Sequence, residues 1–500
     1  MRPGRKKLLI GFLSVVGGIT GFLVIEHFRG IWALDRWKAS MAAKGEELNV
    51  DKLAPAMPIA DENGMPQLLW IAGQLGPFPF DLQPPAFRYA APGKWVVITR
   101  INDWRVQNSH RTNVTWAEIA ENITICESRI EAALQALQSS AFNANLFYRG
   151  GITTVTLNHL ARMKSLSHVL SAAALHDLHQ HQTEEAFRKL QGLLAVPNVL
   201  KDEPTVISQL VRIAMMHMAV GTTWQALQCE GWSDFQLAAL QDAWGAYDFL
   251  RGMDKAFAME RAMTRIEYER LRAADVPLSS LMDQSGAAAV PPAPSLLSWD
   301  WVGQMFDPRE RIFAPLWKFA WSSQDELHYC ETVQAMLEVH RHGERCHSGV
   351  PVIAGLEKID SKPMKGYDYP RFLISRFVIS AVGKSMTRAW IAQATAEIAK
   401  TAVAIKRYEL REGKLPTSLA ALVPDFLPEL PVDYMDGKAL RYCLESDGTF
   451  VLYSVGLDGR DGHGDATSTS TSLNYQNTHD LVWPRKASEL EILNWGTSRR

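Results

Sequence analysis

Cysteine is scarce in this chain. The five residues, Cys126, Cys229, Cys330, Cys346 and Cys443, are odd in number, widely spaced and contain no C-x-x-C. That pattern excludes both a disulfide framework and a zinc template. Cys330 and Cys346 are the nearest in sequence and form the one candidate bridge if the body lies outside the membrane; buried unpaired thiols are the alternative. A charge of one sign is missing as well. Lys and Arg total 52 against 54 Asp and Glu, a formal net charge of -2, so no basic field recommends nucleic acid as a partner. Catalytic signatures are absent too: no G-x-S-x-G, Walker A, H-E-x-x-H or G-x-G-x-x-G stands in a supporting context.

A long apolar run is present. Arg2, Arg5, Lys6 and Lys7 precede Leu8–Ile25, an uncharged stretch in which only Ser14 and Thr20 are polar. Roughly 20 apolar residues cross a bilayer as a helix. Four cations before the run place the N-terminus in the cytoplasm and everything after Glu26 outside. A cleaved signal peptide is the rival, but its shorter apolar core and A-x-A-like site are missing, and Glu26, His27, Phe28 and Arg29 follow instead. The expectation is an uncleaved single-pass anchor in the inner (cytoplasmic) membrane, with a periplasmic or extracytoplasmic body. Gly17 and Gly21 form a G-x-x-x-G pair suited to helix pairing, or are simply small residues in a short apolar run.

Composition and punctuation divide the rest. Residues 1–28 are the cytoplasmic stub and anchor. Residues 29–114 comprise a juxtamembrane helix, ended by Pro55 and Pro58, and an irregular Pro- and aromatic-rich segment over 65–100 with a strand expected at KWVVITR. Residues 115–385 form a helical body. It opens with Thr115 as N-cap and Glu118 three residues later, a capping-box pattern. Helices are expected near 156–180, 183–194, 204–228, 233–251 and 255–275 from apolar residues recurring at three- and four-residue steps. The phrase SAAALHDLHQHQTEEAFRKLQGLLAV has the grammar of a tetratricopeptide-type helical hairpin, without a second copy at a fixed period. A Pro/Ala/Ser-rich loop is expected over 279–299. A long helix over 371–411, kinked near Gly383, leads into a C-terminal module over 386–485, and residues 486–500 form a tail. The fold class is therefore mainly α, with one transmembrane helix and a small C-terminal α+β module.

That module carries several ordered signals. Ile391, Ala394, Ile398, Ala402 and Ile405 fall on one helical stripe. Gly413 sits at a C-cap position and Pro416 stops the helix. Thr417 would cap a short second helix, TSLAALVP. The strand-like runs ALRYCLE and TFVLYSV flank Asp447-Gly448, a hairpin signal. Together the helix ending in YELREGKLP (residues 408–416), the PVD phrase closing at Asp433, GKALRY (437–442), YSVGLDGRDG (453–462) and the terminal DLVW (480–483) resemble the C-terminal globular domain of the major pseudopilin of type II secretion systems. The resemblance covers about a fifth of the chain. It implies a calcium site at Asp458, Asp461, Asp465 and Asp480, with the Leu457 carbonyl as a further ligand. Independently, GLDGRDGHGD brings three carboxylates into one Gly-rich loop suited to a hard cation; a solvated acidic turn is the alternative. ATSTSTSLNYQNTH intervenes before Asp480, whereas the family's loop is compact. The resemblance supplies no catalytic residues. Some 360 residues part the apolar run from the module, and no prepilin cleavage phrase opens the chain, so the whole is not a pseudopilin subunit.

Other clusters point less far. His176, His179 and His181 offer metal ligands on a helical face or a polar helix end. His340, His342, His347 and Cys346 match no zinc spacing. Asp254, Glu260, Glu267 and Glu269 alternate with Arg261, Arg265, Arg270 and Arg272 and are expected to form a salt-bridged solvent face. The sequons at Asn113 and Asn122 matter only in a eukaryotic secretory setting. The expected function is a membrane-anchored extracytoplasmic binding or scaffold protein, associated with a secretion or pilus-like envelope assembly. The alternative is an anchored hydrolase with its cleft between the helical body and the module.

Overall fold

The apolar run and the juxtamembrane helix are one element. In the computed structural model, which describes residues 3–75, 88–91, 94–96, 116–273, 314–361, 366–446, 448–465 and 479–486, helix α1 runs Pro3–Ala43 without interruption. Nothing in the sequence breaks it: no proline lies between Pro3 and Pro55. Of its described apolar side chains up to Ile25, Leu23 packs against the main core and the others are exposed, Ile10, Phe12, Val15 and Ile19 more than half. Beyond Glu26 the helix changes character and buries Leu34, Trp37 and Met41 in the main core. Among the described residues, α1 is the helix long and apolar enough to span a membrane.

The body is built of helices α2 (Val50–Leu53), α3 (Met65–Leu75), α4 (Trp116–Ala136), α5 (Asn158–His179), α6 (Thr183–Val199), α7 (Val206–Leu227), α8 (Asp234–Gly245), α9 (Phe249–Arg272), α10 (Ala314–Ala320), α11 (Ser322–Cys346), α12 (Gly349–Asp360), α13 (Asp368–Arg371) and α14 (Ser375–Glu412). Among the described residues helix makes up 69% and strand 4%, which fixes the mainly α class. Polar caps set the starts. The Thr205 hydroxyl accepts from Ser208 N–H, Ser233 and Gln236 form a reciprocal capping box, and the Asp248 carboxylate accepts from Arg251 N–H. The Asp248 cap moves a boundary: the helix break falls at 246–248 rather than at 252–254. Helices α5 and α6, joined by three residues, pack side by side as the expected hairpin.

Two segments differ from expectation. Residues 65–75 were expected to be irregular, yet they form α3. The Asn63 side-chain Oδ1 accepts from Met65 N–H, and Pro66 falls in the first turn, where its missing N–H costs nothing. At 417–422 a single 3-10 turn, Leu419–Leu422, replaces the short helix, and no side chain caps it. Helix α14 continues through Gly383 and ends at Gly413, whose φ of +67° makes the expected left-handed cap. From Trp390 to Ile405 it is buried on nearly every side, well beyond the stripe read from the sequence. The expected capping box at Thr115, the loop at 279–299 and most of the 486–500 tail lie outside the described residues.

The C-terminal strands follow the predicted hairpin. Strand β3 (Arg441–Leu444) pairs antiparallel with β4 (Phe450–Ser454), Tyr442 opposite Leu452, and Gly448 in the turn has φ +81°. Strand β4 continues to β5 (Leu481–Val482), and Leu452, Val455, Leu481 and Trp483 join the same core as α14. A second small sheet joins distant parts of the chain: β1 (Arg88–Ala91) pairs with β2 (Lys94–Val96) and, in parallel, with β6 (Arg485–Lys486). The main core thus extends from Leu34 to Trp483 without a gap.

The candidate disulfide is excluded by helix geometry. Cys330 and Cys346 lie on α11 sixteen residues apart, or about 24 Å at 1.5 Å per residue, whereas a disulfide needs Cα atoms within about 7 Å. Cys330 is buried and Cys346 exposed, both as free thiols.

Candidate functional site

The acidic loop after β4 is organised by its own hydrogen bonds. Asp480 is fully buried, and its carboxylate accepts from the N–H groups of Gly462 (3.3 Å), Gly464 (2.8 Å) and Asp465 (2.9 Å). Burial nevertheless raises its pKa above the ordinary aspartate value. Asp461 accepts from His463 N–H (3.0 Å) and the Tyr453 hydroxyl (2.8 Å), which hold its pKa down. Asp458 accepts from Arg460 N–H and faces His479 Nδ1 at 3.3 Å. Beside the loop, Arg441 bridges Asp433 (2.7 Å) and Asp436. Of the four aspartates named from the resemblance, Asp458, Asp461 and Asp465 lie on this loop and Asp480 beside it; the carboxylates of Asp458, Asp461 and Asp480 accept from N–H or O–H donors. Among the described residues no three His, Cys, Asp or Glu side chains converge as a metal-holding group.

The histidine clusters resolve into packing. His179 stacks on Trp116 at 4.2 Å, and His181 occupies a left-handed turn with φ +58°. His340 is buried between two hydrogen bonds: Trp390 Nε1–H donates to Nδ1 (3.1 Å), and Nε2 lies 3.0 Å from the Leu250 carbonyl. Trp390 fills Nδ1 as an acceptor, so Nε2 carries the proton and the ring is neutral; burial lowers its pKa accordingly. A third group, His159, Glu203 and Ser208, is closer to catalytic chemistry. Its carboxylate, however, stands between the imidazole and the hydroxyl, and all three side chains are buried. A nucleophile needs the base beside it and access to substrate; this trio has neither.

The expected solvent face on α9 is largely interior. Arg261 and Glu267 are buried. Glu267 accepts from Thr153 N–H (2.8 Å) and pairs with Arg270 (3.2 Å), fixing the 150–154 turn. Arg261 reaches Glu46 (3.2 Å), the Glu47 carbonyl (3.0 Å) and Gln334. Arg341 joins Glu46 to Asp254 (2.6 Å). Burial alone would raise the Glu46 pKa, but hydrogen bonds from Gln334 and Arg341 outweigh it and bring the value below the ordinary one. Of the pairs expected among these alternating charges, Glu267 with Arg270 forms within α9. Arg261, Arg265, Arg272 and Asp254 pair instead with α11 or with the linker after α1, which is why the face is not turned to solvent. Removing one member of such a buried pair costs about 3–5 kcal/mol.

This network forms one wall of a wide concavity. A groove of about 1770 Å³ runs between the 44–58 linker, the end of α4, the outer face of α6 and the start of α9. Small-molecule sites occupy about 300–1,000 Å³, so the groove is larger than a metabolite requires. Its surface mixes small side chains, such as Ala132, Ala195 and Ala258, with the amides Gln135, Gln138, Gln191 and Asn198. Neither His nor Cys lines it. Each of its five carboxylates is matched by a cation: Glu46 with Arg341, Glu47 with Lys52, Glu131 with Arg188, Asp202 with Lys255 and Asp254 with Arg341. No family model, curated protein or solved structure matches this chain. The groove could not be found from sequence, since its walls come from four separated segments; only the hairpin grammar over 171–196 hinted at a concave helical face.

Proposed function

We propose that this is a membrane-anchored extracytoplasmic binding protein whose groove receives an extended polypeptide. Residues 8–25 cross the inner membrane with the N-terminus cytoplasmic, as the cations at Arg2, Arg5, Lys6 and Lys7 favour. The observation that carries the binding role is the groove itself: large, open, lined by amides that match main-chain groups, and with every carboxylate already paired. Acid–base catalysis needs a titratable group free to meet a substrate; the carboxylates of the groove are engaged by its cations, which favours binding. The ordered phrases over 408–483 favour partners drawn from a secretion or pilus-like envelope assembly.

The test is photo-crosslinking in membranes with a benzophenone side chain at Gln191 or Gln138 of the full chain. The expected result is a discrete protein adduct at both positions. It should disappear when Ala195→Trp fills the groove, with the melting temperature unchanged. Absence of an adduct from both positions would overturn the reading.

A further inference from the structure

The body presents apolar side chains to solvent where α1 leaves its apolar run. On α10, Ala314, Trp317 and Ala320 are buried, while Leu316 and Phe319 are exposed; Lys318 is the only polar residue of the helix. A helix apolar all round belongs in a core or in lipid, not in water. Tyr367, whose hydroxyl accepts from Trp321 Nε1–H just past α10 (2.6 Å), and Tyr369, two residues on, are exposed. These groups are tied to the anchor. Phe319 stacks on His27 with ring centroids 4.6 Å apart, and its carbonyl lies 2.6 Å from His27 Nδ1. The Tyr367 ring meets Phe22 at 5.8 Å, and its hydroxyl donates to Glu26 at 2.7 Å. Glu26 also receives Arg29 (2.8 Å) and Gln324 (3.0 Å), so the anchor is seated on α11 at this level.

Depth follows from the helix rise. Phe22 lies three residues inside the run that ends at Ile25, which is about 4.5 Å below its outer edge. A ring touching Phe22 shares that depth. We propose that α10 and residues 366–372 form a second membrane contact, resting on the phospholipid surface at the boundary of headgroups and acyl chains. Lipid is the occupant because the exposed rings continue the surface of the spanning helix at its interfacial level, where aromatic side chains concentrate. Arg29, Lys318 and Arg371 stand beside them, within reach of lipid phosphates. The body is thereby held against the bilayer at two points and cannot swing about α1.

This inference rests on the anchor reading, and one experiment separates the two. The full chain is reconstituted into phosphatidylcholine–phosphatidylglycerol vesicles containing a phospholipid with a diazirine high in its acyl chain. After irradiation, adducts are mapped by mass spectrometry. Adducts are expected over residues 10–25 and also over 316–319 and 367–369. The double substitution Phe319→Ser, Tyr369→Ser, at two exposed positions, should abolish the body adducts and leave those on the spanning helix. Adducts confined to residues 10–25 would overturn the second contact alone. Absence of adducts from residues 10–25 would overturn the anchor and this inference together.

Discussion

Asp480 shows how one carboxylate shapes a whole loop. Three N–H groups converge on it from Gly462, Gly464 and Asp465, and a side chain on Gly462 would meet its oxygen at 2.9 Å. Asp480→Ala leaves those donors without an acceptor, and one unsatisfied buried group costs about 1–3 kcal/mol. The expected outcome is a clearly lower melting temperature for the variant. The calcium expectation for this loop is checked by the melting temperature of the full chain in calcium and in EDTA; equal values would remove it. A rise of several degrees on adding calcium would return Asp458, Asp461, Asp465 and Asp480 to the role of ligands. The sequence made this loop visible as Gly-rich and acidic. It could not show the direction of each carboxylate, because Asp480 lies fifteen residues beyond Asp465 and adds no local pattern.

At the scale of elements, the legible features were those specified within a few residues. The Gly413 cap, the Gly448 hairpin turn and the helices over 158–227 are local, so spacing and turn chemistry reveal them. Helix α3 was hidden because Pro66, Gly64 and Gly73 read as breakers, although Asn63 caps it. The burial of α9 was hidden because amphipathic charge looks the same whether the partner is water or another helix's counter-ion. Close helix approach is likewise invisible: at Gly30 an added Cβ would lie 2.8 Å from Gln324 Cγ and 3.3 Å from Ser323 Cβ. Gly30→Leu should therefore prise α1 from α11, at about 1–3 kcal/mol for overpacking. The measurement is the melting temperature of the detergent-solubilised protein, with Gly45→Ala excluded as a control because its φ of +78° adds strain of its own. An unchanged melting temperature for Gly30→Leu would show that the seat is looser than described.

Across the whole molecule, the C-terminal strands, α14, the hairpin of α5 and α6 and the outer half of α1 share one core. Parts joined by continuous apolar contact lose their packing together, so calorimetry of the full chain should give a single cooperative transition. Two separated transitions would mean that residues 386–485 fold as an independent unit. The continuity of α1 has a further consequence for reach. No joint intervenes between the span and the groove. Lys44, the first residue of the groove wall, lies nineteen residues beyond Ile25, or about 28 Å along the helix axis. With residues 8–25 spanning the bilayer as proposed, the groove would be mounted at a set height and heading above it, as a fitting on a rigid mast. Its selectivity would then be partly one of altitude: a partner must present its segment about 28 Å out from the membrane surface, and a chemically suitable chain that lies flat on the lipid would pass beneath it.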